Sequence, residues 1–157
     1  MTKSIGKCLP LHKIKLKMEG YIELPTGKLN ALELELIFKM LPLEVSFVGA
    51  DDTVRFFSDK TSEERLFMRS KPALGRDLKV CHPKRSLDAM LQIMNDFKNG
   101  TQKHARFWRQ DHQGKFICID YYALHDDKGT YMGALEAVQN ITELRKLEGD
   151  RHEVLYL

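Results

Sequence analysis

Residues 101–147 constrain the chain more tightly than any other stretch. They carry KHARFWRQ, then GKFICIDYYALHDDKG, then TYMGALEAVQNITELRKLE. These runs are rich in Phe, Ile, Tyr, Val and Trp, and glycine-containing turns separate them. Such runs fit a pleated, half-buried surface, and the turns between them are short, so the stretch predicts three consecutive antiparallel strands. The third strand passes through Asn140-Ile141-Thr142-Glu143 into a charged segment, which predicts a last helix over residues 143–157, weakened by Gly149.

Upstream, residues 43–49 and 53–58 read as a further hairpin, with Ala50-Asp51-Asp52 as its turn. Residues 61–69 and 72–80 are short helical or loop segments, broken by Pro72 and Gly75. Pro83 opens the clearest helix, with His82 before it as a cap. Leu87, Met90, Leu91, Met94 and Phe97 recur at helical spacing, and Asn99-Gly100 closes the helix. Nearer the start, Pro25-Thr26-Gly27 is a turn signal and Asn30 is placed to cap a helix over residues 31–40. Leu32, Leu36 and Met40 form one stripe of that helix, widened by Leu34, Ile37 and Leu41, and Pro42 ends it. So wide a stripe calls for two partners, its own sheet and another subunit. The element order predicts an α+β fold: a five-stranded antiparallel sheet with helices on one face and an N-terminal flanking helix. The divisions are a basic tail at 1–20, a flanking helix region at 21–42, a core at 43–142 and a C-terminal helix at 143–157.

At 157 residues, with 43% hydrophobic and 30% charged residues, the chain is the size of one domain with a real core. No apolar run approaches the roughly 20 residues that span a bilayer, and the basic N-terminus lacks a continuous apolar signal segment. Cys8, Cys81 and Cys118 lie far apart and form no CxxC pair, which fits reduced thiols in a cytoplasmic protein. Net charge is +3, and residues 1–20 hold five lysines against one glutamate. That tail has no interleaved aromatics for base stacking, so nucleic acid is not an expected partner. The six histidines show no HxxxE or ExxxH pairing on one helix, so no metal site is expected. With no nucleophile elbow, P-loop or HExxH, the chain does not read as an enzyme.

The element order, and the junction Asn140-Ile141-Thr142-Glu143-Leu144-Arg145-Lys146 in particular, resembles the PAS domain, many of which pass from their last strand into Asp-Ile-Thr-Glu-Arg-Lys and a helix. Asn140 stands where that pattern has Asp, a residue that often makes an ion pair to an output helix. LPTGKL, Gly75-Arg76, Cys81-His82-Pro83, Phe107-Trp108 and LEGDR at 147–151 are similar to one subgroup, the PAS modules attached to DUF438 segments and hemerythrin-like HHE domains. The resemblance covers residues 21–155. It implies a sensory, signal-transducing module that forms a homodimer, holds a ligand between the sheet and the long helix, and acts on a partner signalling protein. The alternative is a stand-alone small-molecule-binding protein or enzyme that uses the same cavity.

The resemblance also lets cofactors be tested by position. Flavin-photoreceptor PAS domains resemble Gly-Arg-Asn-Cys-Arg-Phe-Leu-Gln. Here the place reads Gly75-Arg76-Asp77-Leu78-Lys79-Val80, so Leu78 replaces the reactive cysteine and speaks against a flavin photocycle. Haem-binding PAS domains place a histidine just after a step similar to Pro83-Lys84-Arg85-Ser86, but Leu87, Asp88 and Ala89 follow here. Haem would need Cys81 or His82 in another geometry, and the cofactor is left unassigned.

Polar residues inside apolar strands are the remaining signal. Arg106, Asp120, Tyr121, Tyr122 and Glu136 fall in the predicted central strands. An unpartnered Glu136 would be costly to bury, so it needs Arg106, Arg69 or Arg76. The pattern fits either a cross-strand salt bridge or a pocket for a small polar or anionic molecule, with loop arginines as carboxylate binders. The candidate ligand-binding residues are Arg69, Arg76, Cys81, His82, Trp108, Tyr121 and Glu136.

Overall fold

Asn30 starts the first helix in the way its side chain allows. The computed structural model of the chain describes residues 20–152; the tail expected over residues 1–20 lies outside them except for Gly20. The chain divides into two compact units, Met1–Leu41 and Pro42–Leu157. In the first, β1 (Tyr21–Leu24) and β2 (Gly27–Asn30) form a hairpin around the Pro25-Thr26 turn and lead into α1 (Ala31–Met40). Asn30 Oδ1 accepts from the Glu33 N–H at 2.9 Å, and Glu33 Oε2 accepts from the Asn30 N–H at 2.7 Å. This reciprocal capping box satisfies two N–H groups that the helix cannot bond itself. No residue of α1 is buried.

In the second unit, β3 (Glu44–Gly49) and β4 (Val54–Phe57) form the expected hairpin, with a bulge between Phe47 and Val48. Its turn places Asp52 at φ +60, a conformation that Asp tolerates better than most residues. After an irregular segment come the short α2 (Leu78–Cys81) and the long α3 (Lys84–Lys98). The meander β5 (His104–Gln110), β6 (Phe116–His125) and β7 (Tyr131–Asn140) completes the five-stranded antiparallel sheet, ordered β4-β3-β7-β6-β5. The first and last strands of the core therefore pair at its centre.

Met90, Met94 and Phe97 lie at i, i+4 and i+7 on α3 and bury their side chains in one cluster with Ile117, Ile119 and Tyr121 of β6 and Ala134 and Val138 of β7. Burying a side chain of this kind contributes about 1.5–3 kcal/mol. Leu78, at 2% exposure, joins the same cluster, so the residue at the flavin-cysteine position is core packing.

Two local details differ from expectation. His82 does not cap α3: it closes α2, with Nδ1 3.3 Å from the Leu78 carbonyl, while Pro83 takes the N-cap position of α3. A proline has no side-chain oxygen for that role. Beyond β7, a single 3-10 turn at Leu144–Lys146 replaces the helix expected from residue 143, and residues 147–152 are not helical. Residues 153–157 lie outside the described part. Asn140 Oδ1 accepts instead from the Thr142 N–H at 3.1 Å and hydroxyl at 2.6 Å, and Arg145 lies over the Phe116 ring at 3.7 Å. These local bonds hold the chain in a turn.

Candidate functional site

Strand pairing aligns three polar residues on the α3-facing side of the sheet. Tyr121 of β6 is opposite Glu136 of β7, and Glu136 is opposite Ser46 of β3. Glu44 lies two residues before Ser46, so it shares that face. All four are buried, Glu44 to 2% exposure and Ser46 to 3%.

Arg69 enters this row from the irregular segment after β4. Its Nη2 donates to Glu136 Oε2 at 2.7 Å and its Nε to Glu44 Oε2 at 3.4 Å. The Tyr121 hydroxyl donates to Glu136 Oε1 at 2.5 Å, and the Leu66 N–H donates to Glu44 Oε1. One guanidinium thus faces two carboxylates, and the same bonds tie the irregular segment to the centre of the sheet. Burial would lower the Arg69 pKa, but Glu136 and Glu44 outweigh it and raise it. Burial, then the Glu136 charge, push the Tyr121 phenol far above its ordinary range, so the tyrosine stays a neutral donor. Ser46 Oγ, buried in the same row, has no hydrogen-bond partner among the described residues. A polar row of this kind can orient a small molecule by hydrogen bonds while the surrounding apolar residues exclude water.

The structure brings together three of the seven candidate residues: Arg69, Tyr121 and Glu136. Arg106, considered as a partner for Glu136, instead bonds Asp120 at 2.6 Å on the other face of the sheet. Arg76 is exposed, and its backbone pairs with Val54. Cys81 packs against the core cluster, and His82 bonds back into α2. Trp108 is opposite Cys118, on the face away from α3, and is 63% exposed. Arg65 turns to Asp59 and the Lys60 carbonyl. The three loop arginines therefore do not converge on one anion. Glu44 and Ser46 are the additions that sequence reasoning missed. Glu44 carried the same signal as Glu136, a lone charge in an apolar strand.

The outer face has its own cluster. Asp120 Oδ1 lies 2.6 Å from both Arg106 Nε and His104 Nε2, and the His104 ring stacks on Tyr122 with centroids 4.6 Å apart. Burial raises the Asp120 pKa, but the bonds from Arg106 and His104 reverse this and hold it below its ordinary value. Burial, and Asp120 beside it, push the Cys118 thiol up. Such a thiol is a poor nucleophile. Among the described residues, no group of three or more His, Cys, Asp or Glu gathers in metal-binding geometry, and no helix is long and apolar enough to cross a membrane.

A five-stranded antiparallel sheet in this order, with α3 packed on one face, is the architecture of the PAS fold. Residues 34–142 match the family described as PAS domain, and the chain belongs to that family. A C-terminal domain from Streptococcus mutans is similar at 31% identity, with 82% of this chain and 98% of that one covered and a TM-score of 0.77. A sensory box sensor histidine kinase from Vibrio cholerae shares the fold at 14% identity, with 71% and 90% covered and a TM-score of 0.51. The PAS domain of Bordetella pertussis BvgS does so at 14% identity, with 72% and 90% covered and a TM-score of 0.52. A comparison with curated proteins returned no match.

Proposed function

We propose that this chain is a cytoplasmic sensory module that binds a small polar molecule between the sheet and α3 and passes its occupancy to a partner signalling protein. The observation that carries this reading is the buried row Glu44, Ser46, Glu136 and Tyr121, closed by Arg69 from the irregular segment. A core built only for stability would gain as much from apolar side chains there, because desolvating charges offsets much of their attraction. The sensory box sensor histidine kinase from Vibrio cholerae carries the same fold. The motifs LPTGKL, Cys81-His82-Pro83 and LEGDR suggest a setting beside DUF438 and hemerythrin-like segments.

Self-association belongs to the same reading. Leu32, Leu36, Ile37 and Met40 of α1 are between 42% and 81% exposed, an apolar surface that a second copy would cover. A Vibrio cholerae VqmA structure of the same fold, at 16% identity and a TM-score of 0.51, is of a dimer.

A thermal-shift screen of small polar metabolites tests the binding. An occupant raises Tm in wild type, and Tyr121→Phe reduces the shift. A screen that leaves Tm unmoved, with no small molecule released on denaturing the purified protein, refutes it.

A further inference from the structure

The charge and hydrogen-bond inventory of the inner-face row selects among ligand classes. We infer that the site takes a small ammonium or amidinium ligand, held by the Glu44 carboxylate, the Tyr121 oxygen and the Ser46 hydroxyl, with the Glu136 charge beside them. The inference rests on the ligand-binding reading above and goes further by naming the chemistry of the ligand's polar head.

Charge is the first reason. Glu44 and Glu136 share the Arg69 guanidinium, so two carboxylates face one cation. An incoming carboxylate would add a third negative charge to a buried site. An incoming cation would bring the cluster to neutrality. In a medium of low polarity that difference dominates selectivity.

Hydrogen-bonding capacity is the second reason, and it is independent of charge. The single Tyr121 proton is already committed to Glu136, so its oxygen has only acceptor capacity left. Glu44 Oε2 is held only by the long 3.4 Å contact from Arg69. Ser46 Oγ is 97% buried by residue, its 3% exposure being the remainder, and it has no partner. Three oxygens with spare lone pairs thus line one face of the sheet. An ammonium group offers three N–H donors and an amidinium offers a planar set. The unpartnered serine is the group that the free protein does not need, and it points to an occupant.

Isothermal titration of the full chain with agmatine, putrescine and ethanolamine, set against acetate, pyruvate and succinate, tests the inference. At least one amine is expected to bind and the carboxylates are not. Ser46→Ala removes a hydroxyl that no described residue bonds, so its unfolding midpoint should hold. Its affinity for the amine should fall about three- to tenfold, the worth of one hydrogen bond. Glu136→Gln should weaken amine binding by about tenfold or more. Carboxylates binding in place of amines would overturn the amine class and leave the ligand site standing. Binding of neither class would remove both. Amine binding unchanged in Ser46→Ala and Glu136→Gln would place the amine elsewhere and overturn the inference.

Discussion

Arg69 and Glu136 are 67 positions apart in the chain and meet at 2.7 Å, with the guanidinium also reaching Glu44. The contact joins a segment without regular structure to the middle of the sheet. The contact is largely shielded from water: the Arg69 side chain is 16% exposed and that of Glu136 12%.

Arg69→Met keeps most of the volume and removes the charge, which leaves Glu44 and Glu136 buried without a cation. The expected loss is about 3 kcal/mol, the cost of breaking one side of a buried pair. Urea denaturation reads it as a lower midpoint. Adding Glu136→Gln to that variant should recover part of the loss, because one of the two stranded charges is gone. A double variant less stable than the single one would show that the carboxylates are compensated by something else.

Gly133 has φ +141, and a Cβ there would lie 2.2 Å from the Val48 carbonyl and 2.8 Å from the Phe47 ring. Backbone cannot move aside as a flexible side chain can. Gly133→Ala should therefore lose about 2 kcal/mol or more, measured by thermal unfolding. Gly129→Ala is the comparison: its φ is +81 but nothing stands within 4 Å, so only the backbone cost remains, about 1 kcal/mol.

Asp120 is held below its ordinary 3.8, against the upward push of burial, by Arg106 and His104. A carboxylate whose pKa folding lowers stabilises the native state above its unfolded pKa. That stability is lost as pH falls through the folded value. The urea midpoint should therefore drop as pH goes below about 3.8. Asp120→Asn should flatten part of the drop and leave the share owed to Asp51, Glu64 and Asp126, which are also lowered. An unchanged acid limb in Asp120→Asn would show that Asp120 carries no linkage.

Leu36 is 49% exposed on α1. Placing a charge there should cost the monomer little and the proposed self-association much, so Leu36→Glu is expected to halve the mass seen by light scattering. A wild-type mass that Leu36→Glu does not change would move the interface off α1.

The strands of the meander and the α3 stripe were legible because alternation and helical spacing are local patterns, and Met90, Met94 and Phe97 lie where their spacing puts them. The Asn30 cap was legible for the same reason. His82 was misplaced because a residue before Pro83 looks the same whether it opens one helix or closes the one before it. The charged stretch after Glu143 has helical composition but little apolar surface to pack, and a short helix without packing is marginal; the Asn140–Thr142 bonds win there. At the site, Tyr121 and Glu136 were flagged as polar residues in apolar strands. Which arginine met Glu136 was not readable, because three were available and the choice depends on strand register. Glu44 was passed over because it sits at a strand start, where a charge looks like an edge residue.

The pairing of β3 with β7 bears on how the molecule is made. Ribosomes release residues 44–49 long before residues 131–140, so the first strand of the five-stranded sheet waits with one edge open until the last arrives. Closing so large a loop makes folding slow and late. A chain truncated between β4 and β7 would hold an open β3–β4 hairpin with a free edge, a species prone to self-association and a target for chaperones. Quality control of this small domain is thus tied to the last strand of its sheet, the one that also carries Glu136.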